Sequence, residues 1–372
     1  KRQVVAWALA RRRAAVFADT GMGKSRILLS WVDTVLGKAL GPSGAQREVP
    51  GGRMALVLTP LATGPQLVRE GRGMGLASLI EQRTSMPRPT DLEAPQYSGK
   101  DLIVVANYDI LDKFDLSRFF AIVLDESSIL KSSEGKTCSA LISGCREIPF
   151  RLSLTATPCP NDAEEMLNQA EFLGVGTRDS LLASFFSSGG KGKRATLRPH
   201  AREAYTEWVC TWACWCRDPG DVGFPEDSAR YVLPELKITY HMAGENGSAG
   251  QAEEPAKKKG KGGGGLTERA KARKEGLPAR VEAVKKIFEE ADKEDASPWV
   301  VWCHTNDEST MITEALDGAV ELTGAARPVI KENILMVFEK GEVKVLVTKP
   351  SIAGHGLNWQ HAHRMVFLSV ND

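Results

Sequence analysis

The chain has 372 residues, long for one hydrophobic core and comfortable for two, and its 48 Lys and Arg against 47 Asp and Glu leave a net charge of +1. That balance excludes a global field for holding nucleic acid, so any basic surface must be local. Seven cysteines in a Lys- and Glu-rich chain suit reduced thiols in a cytosol, no apolar run reaches the roughly 18 residues of a membrane span, and no signal-peptide core opens the sequence. The expectation is a soluble, cytoplasmic protein with no membrane partner. It starts at Lys1 rather than Met and stops just after an apolar run, so both ends read as cut.

Strand-length apolar runs recur along the first half: AAVFA at 14–18, MALVLT at 54–59, LIVVAN at 102–107, AIVLD at 121–125 and RLSLT at 151–155. They are near-continuous rather than alternating, the pattern of strands buried on both faces of a parallel sheet. Amphipathic stretches such as SRILLSWVDTVLGKAL lie between them, and the alternation is α/β. The first strand gives way to a helix through FADTGMGKS, residues 17–25. Glycines there reach backbone angles other residues avoid, a lysine can meet the β- and γ-phosphates of a nucleotide, and a serine hydroxyl can meet Mg²⁺. Gly21, Gly23, Lys24 and Ser25 supply these groups, although Ala18 stands where the strict phosphate-loop pattern has its first glycine.

At 121–128, AIVLDESS ends a buried run with two adjacent acids. Exposed acids often terminate strands. Joined to the loop in this order, Asp125 is read as the Mg²⁺ ligand and Glu126 as the group that orients and deprotonates an attacking water.

After about residue 190 the pattern weakens, to resume at 298. AREAYTEWVCTWACWC sets Trp208, Trp212 and Trp215 on one helical face, read as packing before base stacking, and the spacing of Cys210, Cys214 and Cys216 does not suit zinc. Residues 244–265 are too poor in apolar groups to offset their ordering entropy and read as a mobile linker. Lys257, Lys258, Lys259, Lys261, Arg269, Lys271, Arg273 and Lys274 cluster in and just after it, read as a solvated run first and a phosphate contact second. Strand-like runs resume at 298–303, 343–348 and 364–369.

ADTGMGKS, LVLTPLAT, VVANYDIL, VLDESS and LSLTATPCPN stand in the order of motifs I, Ia, Ib, II and III of superfamily-two helicases and translocases. With EEMLNQAEFLGV, RDPGDVGF, WCHTNDES and VLVTKPSIAGHGLNWQHAHR, the chain resembles the Swi/Snf-like branch, especially its phage and prophage helicases. The resemblance implies two RecA-like parallel-sheet lobes, at 1–187 and 276–372, with a helical and linker insertion at 188–275. It makes Gln3 the adenine-recognition glutamine and Thr20, Gly21, Met22, Gly23, Lys24 and Ser25 the ATP-binding set. Lys24, Asp125 and Glu126 become the catalytic residues, with Ser25 and Asp125 on Mg²⁺. Thr155 and Thr157 would couple the nucleotide site to motion. Thr59, Pro60, Thr348, Lys349, Gly356 and Asn358 would contact nucleic acid. His355, His361 and His363 read as hydrogen-bonded structural groups rather than metal ligands. Motif VI, with its arginines, should lie just past residue 372, so the second lobe reads as truncated and the hydrolytic site as incomplete.

The expected function is ATP-driven translocation on double-stranded DNA in a bacterial or phage-infected cell, ATP closing the lobes and hydrolysis releasing them. An RNA helicase, a strand-separating DNA helicase, and a nucleotide-dependent targeting module for a partner nuclease or methyltransferase remain open.

Overall fold

A computed structural model describes residues 1–37, 52–187, 195–243, 249–252, 273–291, 295–354, 356–357 and 359–369. Contacts divide the chain into two compact units, Lys1–Leu233 and Pro234–Asp372.

The first unit is built on β1 (Arg13–Ala18), β2 (Met54–Thr59), β3 (Leu79–Gln82), β4 (Leu102–Asn107), β5 (Ala121–Asp125) and β6 (Phe150–Thr155). A short antiparallel ribbon, β7 (Phe186–Ser187) with β8 (Thr196–Leu197), precedes β9 (Ala213–Cys216). The seven-stranded sheet runs β3-β4-β2-β5-β6-β1-β9, and every neighbouring pair is parallel.

The continuous apolar runs have a simple cause. Alternate side chains of each strand enter different cores, so both faces must be apolar. Phe17, Leu56, Leu58, Ile122 and Leu124 pack on one face with Leu141, Leu167 and Phe172. Val16, Val57, Val105, Val123 and Leu154 pack on the other with Leu28, Trp31 and Val35 of the helix Lys24–Gly37. Each such buried side chain contributes roughly 1.5–3 kcal/mol relative to exposure, and together they fix the strand ends that carry the polar groups.

In the second unit, β10 (Tyr240–Ala243) pairs antiparallel with β11 (Ala249–Ala252). A separate four-stranded parallel sheet follows, in the order β13-β14-β12-β15, from β12 (Trp299–Trp302), β13 (Ala319–Glu321), β14 (Val345–Thr348) and β15 (Arg364–Phe367). The fold is thus α/β with two RecA-like parallel sheets. Among the described residues, no helix is long and apolar enough to cross a membrane, and no group of three or more His, Cys, Asp or Glu is placed to hold a metal.

Two local expectations need correction. The helix Arg202–Trp212 ends before Trp215, which lies on β9. Trp212 is buried against Phe17, whereas Trp215 stays 45% exposed with its ring centroid 4.9 Å from that of Phe17. The stretch 244–265 is not linker throughout, because Ala249–Ala252 forms β11. The rest of that stretch, and Lys257, Lys258, Lys259, Lys261, Arg269 and Lys271, lie outside the described residues.

Candidate functional site

Parallel strands leave their C-terminal ends in a row, and the loops that follow them meet at one sheet edge. After β1 the loop turns through Gly21 (φ 85°) and Gly23 (φ 80°), left-handed angles that a side chain would strain, and Lys24 opens the next helix. A methyl on Gly23 would also meet Lys1 Cε at 2.6 Å. Two loop amides are engaged by Asp19: Thr20 N donates to its Oδ1 at 2.7 Å and Met22 N to its carbonyl at 3.2 Å. Met22 buries its side chain in the core, and Ser25 is partly exposed in the first helical turn.

Lys24 reaches toward the end of β5. Its Nζ donates to Ala18 O at 3.3 Å and stands 3.9 Å from Glu126 Oε1. Asp125 is buried at the end of β5 and accepts from Thr59 Oγ1 at 3.0 Å. Burial, then the adjacent Glu126 carboxylate, push the Asp125 carboxyl from an ordinary 3.8 up to about 6, against the Thr59 hydrogen bond and the Lys24 charge. From β6, Thr155 Oγ1 donates to Glu126 Oε2 at 3.1 Å and accepts from Thr157 N at 3.1 Å. The structure therefore brings Lys24, Asp125, Glu126 and Thr155 to one place, with Thr157 exposed beside them.

Chemically, the arrangement sets a cation beside paired acids. A lysine beside left-handed glycines suits phosphate, and two adjacent carboxylates, one of them buried and resisting ionisation, suit a divalent cation that relieves their repulsion. Ser25 and Asp125 are the groups that could hold Mg²⁺.

The remaining expected residues lie in differing environments. Gln3 is exposed on the helix Arg2–Arg11, facing the turn after β9: a methyl on Gly223 would stand 4.0 Å from its Oε1. Thr59 is 1% exposed and is also hydrogen-bonded to Thr63, so its side chain faces Asp125 and not a surface. Pro60 is partly exposed and its carbonyl accepts from Thr63 N at 3.1 Å. In the second unit Thr348 is fully buried and donates to Leu322 O at 3.2 Å, which again turns the hydroxyl away from any external strand. Lys349 Nζ bonds Asn306 Oδ1, and Gly356 is exposed at φ 73°. Asn358 and His355 lie outside the described residues. His361 shares a hydrogen bond with Phe338 O at 2.7 Å and His363 with Asp295 at 3.2 Å, the bonded structural roles expected of them.

Three residues that the sequence reading did not single out touch the Asp125–Lys131 turn: Tyr108, Asn168 and Gln169. The available signal was a pair of adjacent amides, Asn168 and Gln169, among the apolar residues of MLNQAEFL.

No protein-family model matches the sequence, and no curated protein matches it. Among solved structures, the chain is similar to a fragment described as an HsdR subunit of a type I restriction enzyme from Vibrio vulnificus YJ016. The identity is 13% and the TM-score 0.50, with 99% of this chain and 57% of that chain covered. It is also similar to the Hef helicase domain of Pyrococcus furiosus, at 15% identity and TM-score 0.41, over 99% of this chain and 89% of that one. The chain spans little more than half the length of the HsdR fragment. The likeness to that fragment shows the fold alone, an α/β architecture of two RecA-like parallel sheets.

Proposed function

We propose that the chain is an ATP-dependent nucleic-acid motor, a translocase of the Swi/Snf-like type acting on double-stranded DNA. The observation that supports this most is the convergence of Lys24, Asp125, Glu126 and Thr155 from three separate strand ends, with Glu126 facing both Lys24 and Thr155. The substrate is ATP with Mg²⁺, and the ion would supply charge neutralisation at the phosphates. Lys24 binds the β- and γ-phosphates, Ser25 and Asp125 are the Mg²⁺ ligands, and Gln3 reads the adenine. Glu126 orients the attacking water and takes its proton, and Thr155 and Thr157 fix that carboxylate and pass its state to the rest of the lobe. Lys24 Nζ stands 3.9 Å from Glu126 Oε1, so a phosphate that engages the lysine would compete with that carboxylate.

The preference for duplex DNA and the phage setting rest on the motif resemblance; a nucleotide-dependent targeting module for a partner nuclease or methyltransferase is the alternative. Lys349, Gly356 and the backbone around Pro60 are the groups offered to phosphates, since the Thr59 and Thr348 hydroxyls are turned inward. Displacement of a triplex-forming strand by the protein with ATP, without unwinding of the duplex beneath, tests the reading, with Glu126→Gln as control. Unwinding of RNA duplexes with no displacement from DNA would replace it by an RNA helicase.

A further inference from the structure

The turn that carries Glu126 has an unusual backbone. Glu126 stands at φ 55°, ψ 56°, and with Arg12 it makes up the non-glycine residues at positive φ among the described residues. A left-handed L-residue costs roughly 1–2 kcal/mol, so the surroundings must over-determine it.

The restraint comes from side chains distant in sequence. Tyr108 Oη donates to Asp125 O at 2.7 Å, Gln169 Nε2 to Ser127 O at 2.8 Å and Asn168 Nδ2 to Leu130 O at 2.7 Å. All three side chains are buried, Gln169 completely. A carbonyl only accepts, so the amide nitrogens must be the atoms that face the turn. Asn168 is fixed from behind, its Oδ1 accepting from Arg178 Nη1 at 2.8 Å, and Arg178 pairs with Glu164. Burying amides in a helix that packs by Met166, Leu167, Ala170 and Phe172 costs free energy that leucines there would avoid. What the amides supply is directional: three donors aimed at successive parts of one strained turn.

We infer that Tyr108, Asn168 and Gln169 are positioning residues for Glu126. They hold the turn on both sides of the left-handed residue, and that conformation presents its carboxylate to Lys24 and Thr155. The inference rests on the reading of Glu126 as the base.

The test compares Gln169→Met and Tyr108→Phe with Leu173→Val, a packing change on the same helix, using two readouts. In the first, both clamp variants lower ATP turnover about tenfold or more, because misplacement by about 1 Å can cost on the order of 100-fold, while ATP affinity holds within about twofold. Leu173→Val leaves turnover within about twofold, and on a Glu126→Gln background the clamp variants add no further loss beyond about twofold. Clamp variants that match Leu173→Val, or losses that multiply with Glu126→Gln, overturn the inference. The second readout needs no activity: amide exchange across 126–131 speeds up about tenfold or more in the clamp variants and not in Leu173→Val. Unchanged exchange overturns the inference even in a protein without turnover, whereas faster exchange with no turnover even in a chain extended through motif VI overturns the hydrolytic reading alone. Tyr108→Phe removes only a hydroxyl and decides the matter should Gln169→Met not fold.

Discussion

Replacing Asp125 by Asn should stabilise the nucleotide-free protein while removing its metal ligand. The wild-type carboxyl is buried beside Glu126, and these two causes raise it from 3.8 to about 6. That shift of about two pH units corresponds to ~3 kcal/mol at ~1.36 kcal/mol per unit. Asparagine keeps the volume and an acceptor for the Thr59 hydroxyl, which donates at 3.0 Å, but it forfeits the attraction of Lys24. The net gain near neutral pH should therefore be ~1–3 kcal/mol. The sign follows from proton binding. Between about pH 4 and 6 the folded chain keeps a proton that the unfolded chain has released, so wild-type stability falls as pH rises through that window. Above it the penalty is complete; below it there is none. Urea unfolding in EDTA, followed by tryptophan fluorescence at about pH 7.5 and about pH 4, measures this, with the gain expected only at the higher pH. An Asn variant less stable than wild type at neutral pH, or a gain of equal size at both, would refute the reasoning about burial and charge.

Glu126→Gly should relieve the left-handed backbone and leave stability unchanged or raised by up to ~1–2 kcal/mol while ending turnover, because the lost Lys24 and Thr155 contacts are partly exposed. A clear loss in thermal unfolding would show that those contacts outweigh the strain. Glu126→Gln should bind ATP and retain it, since shape and metal chemistry persist without the base; turnover at the wild-type rate by this variant in a chain extended through motif VI would remove Glu126 from that role. Nucleic-acid affinity should fall steeply with salt and vary little with sequence, as phosphate contacts require, and a flat salt dependence in a binding titration would count against them.

The strands legible in the sequence are those with both faces buried. LIVVAN and AIVLD can hardly be anything else, and the structure puts β4 at Leu102–Asn107 and β5 at Ala121–Asp125. The strands that escaped are short and lie at sheet edges, among them LIEQ in β3, ACWC in β9 and AVE in β13, with the two-stranded ribbons β7–β8 and β10–β11. One neighbour and a half-exposed face leave little apolar signature. ACWC was further hidden by the helical spacing of the tryptophans before it. Within the candidate site, Lys24, Asp125 and Glu126 were legible because each belongs to a short stretch whose chemistry is local. Tyr108, Asn168 and Gln169 were not, because their partners lie between 17 and 42 residues away and only the packing of β4, β5 and the helix Met166–Leu173 brings them together. The inward turn of Thr59 and Thr348 escaped for the same reason: a threonine at a strand end reads alike whether its hydroxyl faces a ligand or a buried partner.

Equilibrium binding of ATP with Mg²⁺, measured by calorimetry on the wild-type chain and on Lys24→Ala, tests the central claim most directly. The loop, the lysine and the paired acids should bind the nucleotide with one-to-one stoichiometry, weaken when EDTA removes the metal, and lose tight binding when Lys24 is removed, because its ammonium is the cation held between the loop and the paired acids. Equal affinity in the two proteins, or binding indifferent to the metal, would contradict the assignment of this sheet edge as the seat of a nucleotide.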